Sequence, residues 1–133
     1  MEAAERGVHL RILVPGSHID KQFVRTAGRA SYDQLIDAGI EIYEYRPTML
    51  HAKTLTVDEM WSSVGSVNFD NRSFQLHDEV TLCVQSERFA GQLHDVFEAD
   101  LEDSERIDPD AWGDRPITQR ARENVTKYAR REL

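Results

Sequence analysis

A histidine and a lysine that lie two positions apart form the part of this chain best suited to chemistry. His51 and Lys53 are followed by an aspartate and then by a Gly-Ser-x-Asn element. The whole pattern is H-x-K-x4-D-x6-G-S-x-N, and its named positions are His51, Lys53, Asp58, Gly65, Ser66 and Asn68. Histidine can act as a nucleophile or exchange a proton near neutral pH. Lysine, hydroxyl and amide groups can hold the oxygens of a phosphate, so the set predicts chemistry at a phosphate group.

The spacing of the motif predicts a β-hairpin. The stretch Leu50–Val57 is apolar and β-branched, which indicates a strand. Since side chains alternate along a strand, His51 and Lys53 should point to the same face. Trp61–Val67 indicates a second strand, and Asp58-Glu59-Met60 would form the turn between the two.

The Gly-Ser-x-Asn element would lie near the end of the second strand. Ser66 and Asn68 are two residues apart and should share a face, while Gly65 allows the backbone to approach a ligand or bend sharply. Each part alone has an ordinary structural explanation as a strand residue or a turn. The full combination, in this order and at these gaps, favours a functional site.

Glu79 is a further candidate because it opens a third predicted strand, Val80–Val84. Its carboxylate could accept the second ring N–H of His51, which is the orienting role of the third member of a catalytic triad. The alternative is a polar residue at a strand end, and the spacing alone does not choose between the two.

These residues resemble the phospholipase D superfamily, whose signature is the H-x-K-x4-D-x6-G-S-x-N element. The chain is most similar to the C-terminal half of bacterial cardiolipin synthases, over about Glu5 to Pro116. The segments that carry this resemblance are His18-Ile19-Asp20-Lys21, Ile42-Tyr43-Glu44-Tyr45, Pro47-Thr48-Met49-Leu50-His51-Ala52-Lys53-Thr54, Asn68-Phe69-Asp70-Asn71-Arg72-Ser73-Phe74 and Trp112 with Arg115-Pro116. One departure is His77, where relatives usually carry Asn.

The resemblance implies a role for each position of the motif. His51 would be one of two active-site histidines, and Glu79 would be the acid that hydrogen-bonds it. Phosphate oxygens would be bound by Lys53 and Asn68, with support from Ser66. The implied catalytic residues are His51, Lys53 and Glu79, the implied phosphate-binding residues are Lys53, Ser66 and Asn68, and the structural positions are Asp58 and Gly65.

The implied reaction is phosphatidyl transfer between two phosphatidylglycerol molecules, through a phosphohistidine intermediate, to form cardiolipin. Covalent catalysis divides one difficult substitution into two easier ones. By resemblance His51 takes the role of the second-half histidine, which protonates the leaving alcohol and then activates the acceptor. The reaction needs no cofactor, and because the histidines show no paired ligand spacing we expect no metal.

Enzymes of this family need two such motifs, and this chain has one. Its other histidines, which are not followed two residues later by lysine, are His9, His18, His77 and His94. Glu2–Arg6 predicts the last turn of a helix closed by Gly7, followed by a strand over Val8–Val14. We therefore expect an N-terminally incomplete half-domain, whose partner would be the missing N-terminal half or a second copy of the chain.

Two alternatives remain open. The first is a single-motif phosphodiesterase or nuclease that completes its site as a two-fold homodimer. The acidic charge and the Pro-Thr-Met-Leu context before His51 speak against it. The second is an inactive binding remnant of the family, which the missing first motif supports. The intact set of His51, Lys53, Asn68 and Glu79 favours the catalytic half.

The amino-acid composition limits the classes of partner that the chain could bind. The net charge of −8 argues against nucleic acid, whose binding depends on Lys and Arg, and would also weaken general adhesion to anionic lipid. Mean hydropathy is −0.57, and no apolar run approaches the ~20 residues of a membrane span. The N-terminus lacks the features of a signal peptide. The resemblance implies membrane association only for the complete protein.

The lone cysteine, Cys83, lies in a predicted strand and is expected to be a buried core thiol. Alternating elements predict an α/β fold with a mixed β-sheet flanked by helices, a phospholipase D-like half-domain over residues 1–116 and a charged helix or tail over 117–133. The further predicted elements are a helix Asp20–Ala38 closed by Gly39, a strand Ile40–Tyr45, a helix from Ser86 to about Ser104 with the inner stripe Phe89, Leu93, Val96, Phe97 and Leu101, a helical turn at Asp108-Pro109, and a last helix Ile117–Arg131.

Overall fold

The described part of the chain contains both helices and strands. The computed structural model describes residues 1–18, 22–66 and 79–115, except for the side chains of residues 22–24 and 27. Within these ranges the helices are α1 (Glu2–Glu5), α2 (Gln22–Arg29), α3 (Tyr32–Asp37), α4 (Glu87–Glu102) and α5 (Pro109–Gly113). The strands are β1 (Arg11–Pro15), β2 (Glu41–Tyr45), β3 (Thr54–Val57), β4 (Trp61–Gly65), β5 (Thr81–Gln85) and β6 (Ser104–Arg106). The predicted α/β class is confirmed.

The described strands lie in two sheets of three strands each, where the sequence predicted one mixed sheet. The first has the order β1-β2-β6, with β1 parallel and β6 antiparallel to β2. The second is an antiparallel β3-β4-β5 meander. The first sheet belongs to a unit that contains Met1–Leu50 and the chain from Asp103 on, and the second to a unit of His51–Glu102. Since consecutive antiparallel strands pair locally through short connections, β3, β4 and β5 form a sheet of their own.

The long helix predicted over Asp20–Ala38 is two helices in the described part. After α2 ends, the backbone N–H of Ser31 donates to the carbonyl of Gly28 at 3.0 Å, and α3 begins at Tyr32. Glycine is a poor helix former, so Gly28 near the end of α2 favours the break. Gly39 closes α3 with φ +79, as predicted. Gly7 has φ +87 and likewise closes α1.

The core of the first unit joins its helices to its sheet. A cluster of buried side chains at its centre contains Tyr32 on α3, Ile42 on β2 and Trp112 on α5. The rings of Tyr32 and Trp112 lie 5.2 Å apart between centroids at a tilt of 34°. Partly buried apolar residues pack around them: Val14, Leu35, Ile36 and Ile107. The apolar faces of both helices and of β2 are thereby removed from water.

Trp112 and Arg115, two residues of the family resemblance, stabilise this core. The indole Nε1–H donates to the Asp33 carboxylate at 2.7 Å, and the Arg115 guanidinium meets the same oxygen at 2.6 Å. Arg115 also stacks over the indole, 3.3 Å from its centroid. Both residues therefore serve the packing of the first unit.

A buried carboxylate holds the middle helices on β2. Glu44 is 5% exposed and forms ion pairs with Arg25 and with Arg29, the latter at 3.2 Å. The Tyr32 hydroxyl lies 3.5 Å from Glu44 and donates to it. Burial, and next the Glu44 charge, raise the pKa of Tyr32 well above its ordinary value.

The second unit consists of the meander and α4. The Ser86 hydroxyl accepts the Phe89 N–H at 3.4 Å, which confirms the predicted N-cap. The prediction that Val96 belongs to the inner stripe of this helix is wrong, since Val96 is 58% exposed. Val96 lies at the margin of the stripe when residues are placed about 100° apart around the helix. Ala90, which is fully buried, marks the inner face instead.

The prediction of a buried thiol is also wrong, because Cys83 is exposed. β5 is an edge strand of the described sheet, and its neighbours Val80 and Leu82 are 77% and 60% exposed. Apolar residues in an edge strand are therefore not sufficient evidence of burial.

The last described elements include one strand that the sequence did not predict. β6 has the sequence Ser-Glu-Arg, which has little strand propensity, and forms because it pairs with β2. The turn at Asp108-Pro109 is confirmed as the start of α5, where the Asp108 carboxylate accepts the Asp110 N–H at 2.9 Å. The predicted helix Ile117–Arg131 lies outside the described residues. No helix in the described ranges has the length and apolar character needed to cross a bilayer.

Candidate functional site

Three parts of the candidate site meet at one end of the β3-β4-β5 meander. The pairing places Thr54 beside Val64, and Val64 beside Leu82. His51 and Lys53 precede β3, Ser66 follows β4, and Glu79 precedes β5, so all of them leave the sheet at this same end. Asn68, two residues beyond Ser66, lies outside the described residues. The fold thus brings together segments that are up to 28 positions apart in the chain.

His51 and Lys53 do not belong to a strand, which corrects the predicted span of Leu50–Val57. β3 begins at Thr54, although the register continues one step further, where the Gly65 N–H of β4 donates to the Lys53 carbonyl. The Lys53 ammonium instead reaches back and donates to the backbone carbonyl of His51 at 3.0 Å. The two residues remain adjacent, although by this contact rather than by strand alternation. The His51 side chain is exposed and Lys53 is half-buried.

Gly65 links the segment of Lys53 to the segment of Glu79. Its N–H donates to the Lys53 carbonyl at 3.1 Å. A Cβ at Gly65 would lie 2.4 Å from the Val80 carbonyl oxygen and 2.9 Å from the Thr81 Cα, which are too close for any side chain. Glycine therefore permits a close approach to the backbone of Val80 and Thr81, whereas the approach to a ligand expected from the sequence stays a prediction.

Ser66 continues this contact with its hydroxyl. The Val80 N–H donates to Ser66 Oγ at 3.1 Å, while the Ser66 N–H donates to the Val80 carbonyl at 3.0 Å. Ser66 Oγ also lies 3.5 Å from that carbonyl, at the limit of a hydrogen bond. We call these bonds the Ser66–Val80 clamp. Sequence reasoning missed it because the partner is backbone, which no side-chain pattern reveals.

Glu79 is half-buried and lies next to the clamp. No hydrogen bond joins its carboxylate to the His51 ring in the described part of the chain, so the orienting role remains a prediction. The place of Glu79 is nevertheless set by Val80, whose N–H and carbonyl are both engaged by Ser66.

Asp58 lies at the other end of β3, in the hairpin turn, as predicted. Asp58 and Glu59 both have left-handed backbones, with φ of 50° and 52°, and the Met60 N–H donates to the Val57 carbonyl at 3.1 Å. The Asp58 carboxylate makes no hydrogen bond to another described residue. Its position supports a structural rather than a chemical part in the motif.

The arrangement can present one exposed imidazole and one ammonium to an anionic group. The imidazole could attack phosphorus or exchange a proton with an oxygen of the substrate. One histidine cannot occupy both sides of a phosphorus atom at once. Displacement in line with the leaving oxygen therefore needs a second group from outside this segment.

Comparison with known proteins identifies the family of the chain. Residues 1–101 match the protein-family model described as "Cardiolipin synthase, PLD-like domain". Cardiolipin synthase A from Yersinia pseudotuberculosis serotype O:1b (strain IP 31758) and that from Yersinia pestis bv. Antiqua (strain Angola) are each 37% identical over 123 residues. These matches cover 92% of this chain and 25% of each relative, so the chain spans about a quarter of their length.

A solved structure supports the fold. Nuc from Salmonella typhimurium, described as a phospholipase D family member, superposes with a TM-score of 0.69 at 18% identity. The match covers 80% of this chain and 68% of Nuc. The chain belongs to the cardiolipin synthase family of phospholipase D-like domains.

Proposed function

We propose that this chain is the C-terminal catalytic half of a cardiolipin-forming phosphatidyltransferase. The observation that carries the proposal is the convergence of the His51–Lys53, Gly65–Ser66 and Glu79–Val80 segments at one end of the meander. The similarity to cardiolipin synthase A supports the choice of substrate class. The donor and the acceptor would both be phosphatidylglycerol.

The proposed chemistry has two displacements at one phosphorus. A histidine nitrogen forms a bond to phosphorus while the bond to the glycerol oxygen breaks, and the opposite histidine protonates that leaving oxygen. The hydroxyl of a second phosphatidylglycerol then displaces the enzyme histidine, giving up its proton to the opposite histidine. His51 takes the second of these histidine roles, as general acid and then base.

The other residues would stabilise charge and geometry. Lys53 and Asn68 would hold the non-reacting phosphate oxygens, where each lost donor typically costs about 10²–10³ in rate. Ser66 belongs to this set, but its oxygen already accepts the Val80 N–H, so its support is indirect. Glu79 would accept a hydrogen bond from the His51 ring and fix its tautomer.

The partner would be an N-terminal half that brings the second histidine. The exposed apolar side chains of Val80 and Leu82 provide surface that such a half could cover. In the complete protein we expect association with the cytoplasmic membrane. Nucleic acid is not expected to bind, given the net charge of −8.

The test is to purify residues 1–133, measure the mass in solution, and assay phosphatidylglycerol conversion with and without the N-terminal half. We expect no turnover by the chain alone and turnover on adding that half, which His51→Asn should abolish. Robust turnover by the chain alone, lost on dilution below a dimer dissociation constant, would replace the proposal by a homodimeric enzyme. Absence of turnover in both arms would favour the inactive remnant.

A further inference from the structure

Ser66 of the motif is hydrogen-bonded to the backbone of Val80, the residue directly before β5. Ser66 Oγ accepts the Val80 N–H at 3.1 Å, and the N–H and carbonyl of Val80 are both bonded to Ser66. Residues 67–79 lie between these two positions in the chain. Ser66 therefore joins the two ends of a segment of 13 residues that includes Asn68, and its partner directly follows Glu79.

We propose that Ser66 is a positioning residue, whose hydroxyl places Glu79 through the Val80 backbone instead of contacting the substrate phosphate. The proposal rests on the function proposed above. A hydroxyl has one proton and two lone pairs. In Ser66 one lone pair is taken at 3.1 Å, and the proton has an acceptor, the Val80 carbonyl, at 3.5 Å. Both contacts of the hydroxyl are therefore to the backbone of Val80, and the shorter of them holds the amide that follows Glu79.

Gly65 makes the clamp possible. Its missing side chain lets β4 approach the Val80 carbonyl, where a Cβ would lie 2.4 Å away. Its N–H is bonded to the Lys53 carbonyl at 3.1 Å. One Gly-Ser pair therefore connects the lysine segment on one side to the glutamate segment on the other. This explains why glycine and serine are adjacent in this part of the chain without requiring either side chain to contact substrate.

Water can compete with the Ser66 hydroxyl for the Val80 N–H. Ser66 is exposed, so an unbonded Val80 N–H would be solvated rather than buried. Removing the hydroxyl should then loosen the start of β5 without unfolding the meander, whose ladder of five residue pairs between β4 and β5 is independent of it. A loosened β5 start moves Glu79 away from its working position.

The experiment compares three serine variants. Ser66→Ala removes the bond, Ser66→Thr keeps the oxygen, and Ser86→Ala removes a matched hydroxyl-to-amide bond at the α4 N-cap in the same unit. Amide hydrogen exchange of Val80 is followed in residues 1–133. We expect about tenfold faster exchange in Ser66→Ala and near-native exchange in the other two.

Turnover of phosphatidylglycerol is measured with the N-terminal half present. Ser66→Ala should lower kcat about tenfold and leave KM within about twofold, and Ser66→Thr should restore most of kcat. Ser86→Ala should lower only the melting temperature. If Ser66 acts through Glu79, the Ser66→Ala penalty should largely disappear in a Glu79→Gln background, because coupled residues are not additive.

A raised KM with unchanged kcat, or full additivity with Glu79→Gln, would show that the hydroxyl contacts phosphate and would overturn the proposal. Unchanged Val80 exchange in Ser66→Ala would overturn it independently of activity. Absence of turnover by the native assembly would instead refute the proposed function, and the exchange measurement would still decide whether the clamp exists.

Discussion

The backbone carbonyl of Lys53 accepts the N–H of Gly65 at 3.1 Å, so the lysine segment is tied to the glycine-serine segment through main-chain atoms alone. The Lys53 side chain takes no part in this bond. Substitutions of the side chain should therefore change chemistry without releasing the segment, which makes the residues of the site separable from those of the fold.

Lys53→Ala should lose about 10²–10³ in turnover, because a donor to the phosphate oxygens disappears. The melting temperature should hardly change, since the one hydrogen bond of the ammonium within the described part of the chain is to the exposed His51 carbonyl. Arg46→Ala is the matched control, as it deletes an exposed cation paired with Glu105 at 2.6 Å. Turnover and thermal unfolding are measured on both, and a comparable loss of activity in the control would contradict the assignment.

His51→Asn should lower turnover about 10²–10⁴-fold, the usual value of general acid–base catalysis. Asparagine preserves size and some hydrogen bonding, and the side chain is exposed, so folding should be unaffected. His94→Asn serves as control because His94 is a histidine on α4, paired with Glu98 at 3.4 Å, that we expect to have no catalytic part. Near-full turnover by His51→Asn, assayed with its partner half, would rule out the assignment.

Glu59→Gly should stabilise the protein by about 0.5–1 kcal/mol, since glycine adopts positive φ without strain. Asp58→Asn should leave stability unchanged or slightly higher, because asparagine tolerates this backbone and no Asp58 hydrogen bond to described residues is lost. Asp58→Val should destabilise, as β-branched residues disfavour positive φ. The free energies of unfolding of the three variants are measured in urea. A destabilised Asp58→Asn would show that the carboxylate has a specific stabilising role.

Ser62→Ala should raise the free energy of unfolding by about 1 kcal/mol. The Ser62 side chain is fully buried, and its hydroxyl has no hydrogen-bond partner among the described residues. Ser86→Ala should have the opposite effect, a loss of about 1 kcal/mol, because the helix cap is removed. The same measurement on the two serine variants should thus give opposite signs, and equal losses would show that Ser62 has a partner.

Tyr43→Phe should weaken the acid sensitivity of folding. The Tyr43 hydroxyl donates to Glu41 at 2.7 Å, and this bond, ahead of His9 and Arg106, lowers the pKa of the Glu41 carboxyl below its ordinary value of 4.5. A lowered pKa contributes stability that is present above pH 4.5 and is lost as the pH falls through the folded value.

The stability difference between about pH 7 and about pH 3 should therefore be smaller in Tyr43→Phe than in the native protein. Tyr45→Phe removes a hydroxyl from the same strand without touching Glu41 and should leave that difference unchanged. An unaltered pH dependence in Tyr43→Phe would contradict the assigned cause.

Predictions from the sequence are most accurate for features that depend on interactions between neighbouring residues. Gly39, Ser86 and Asp108 all mark helix ends as expected, because positive φ and capping hydroxyls or carboxylates act on neighbouring residues. The α/β class is predicted for the same reason, because the spacing of apolar residues along the chain distinguishes helices from strands locally.

The errors of the sequence-based predictions concern features that depend on contacts between residues far apart in the chain. β6 exists because it pairs with β2, and the ladder of β3 with β4 begins only at Thr54. Cys83 lies in an apolar strand but is exposed, since burial depends on what covers a strand rather than on its composition. The Ser66–Val80 clamp joins a motif residue to a main-chain group, which a side-chain pattern cannot show.

The contribution of Trp112 to the first core shows that the first unit extends beyond the match to the family model. That match ends at residue 101, whereas β6 and the indole that packs on Tyr32 lie beyond it. A protein shortened to residue 101 would expose Tyr32 and Ile42 and would leave β2 without its second neighbour. A boundary taken from the family model alone would therefore yield an unstable piece, whereas one placed after Arg115 would retain the indole and the bond from Arg115 to Asp33.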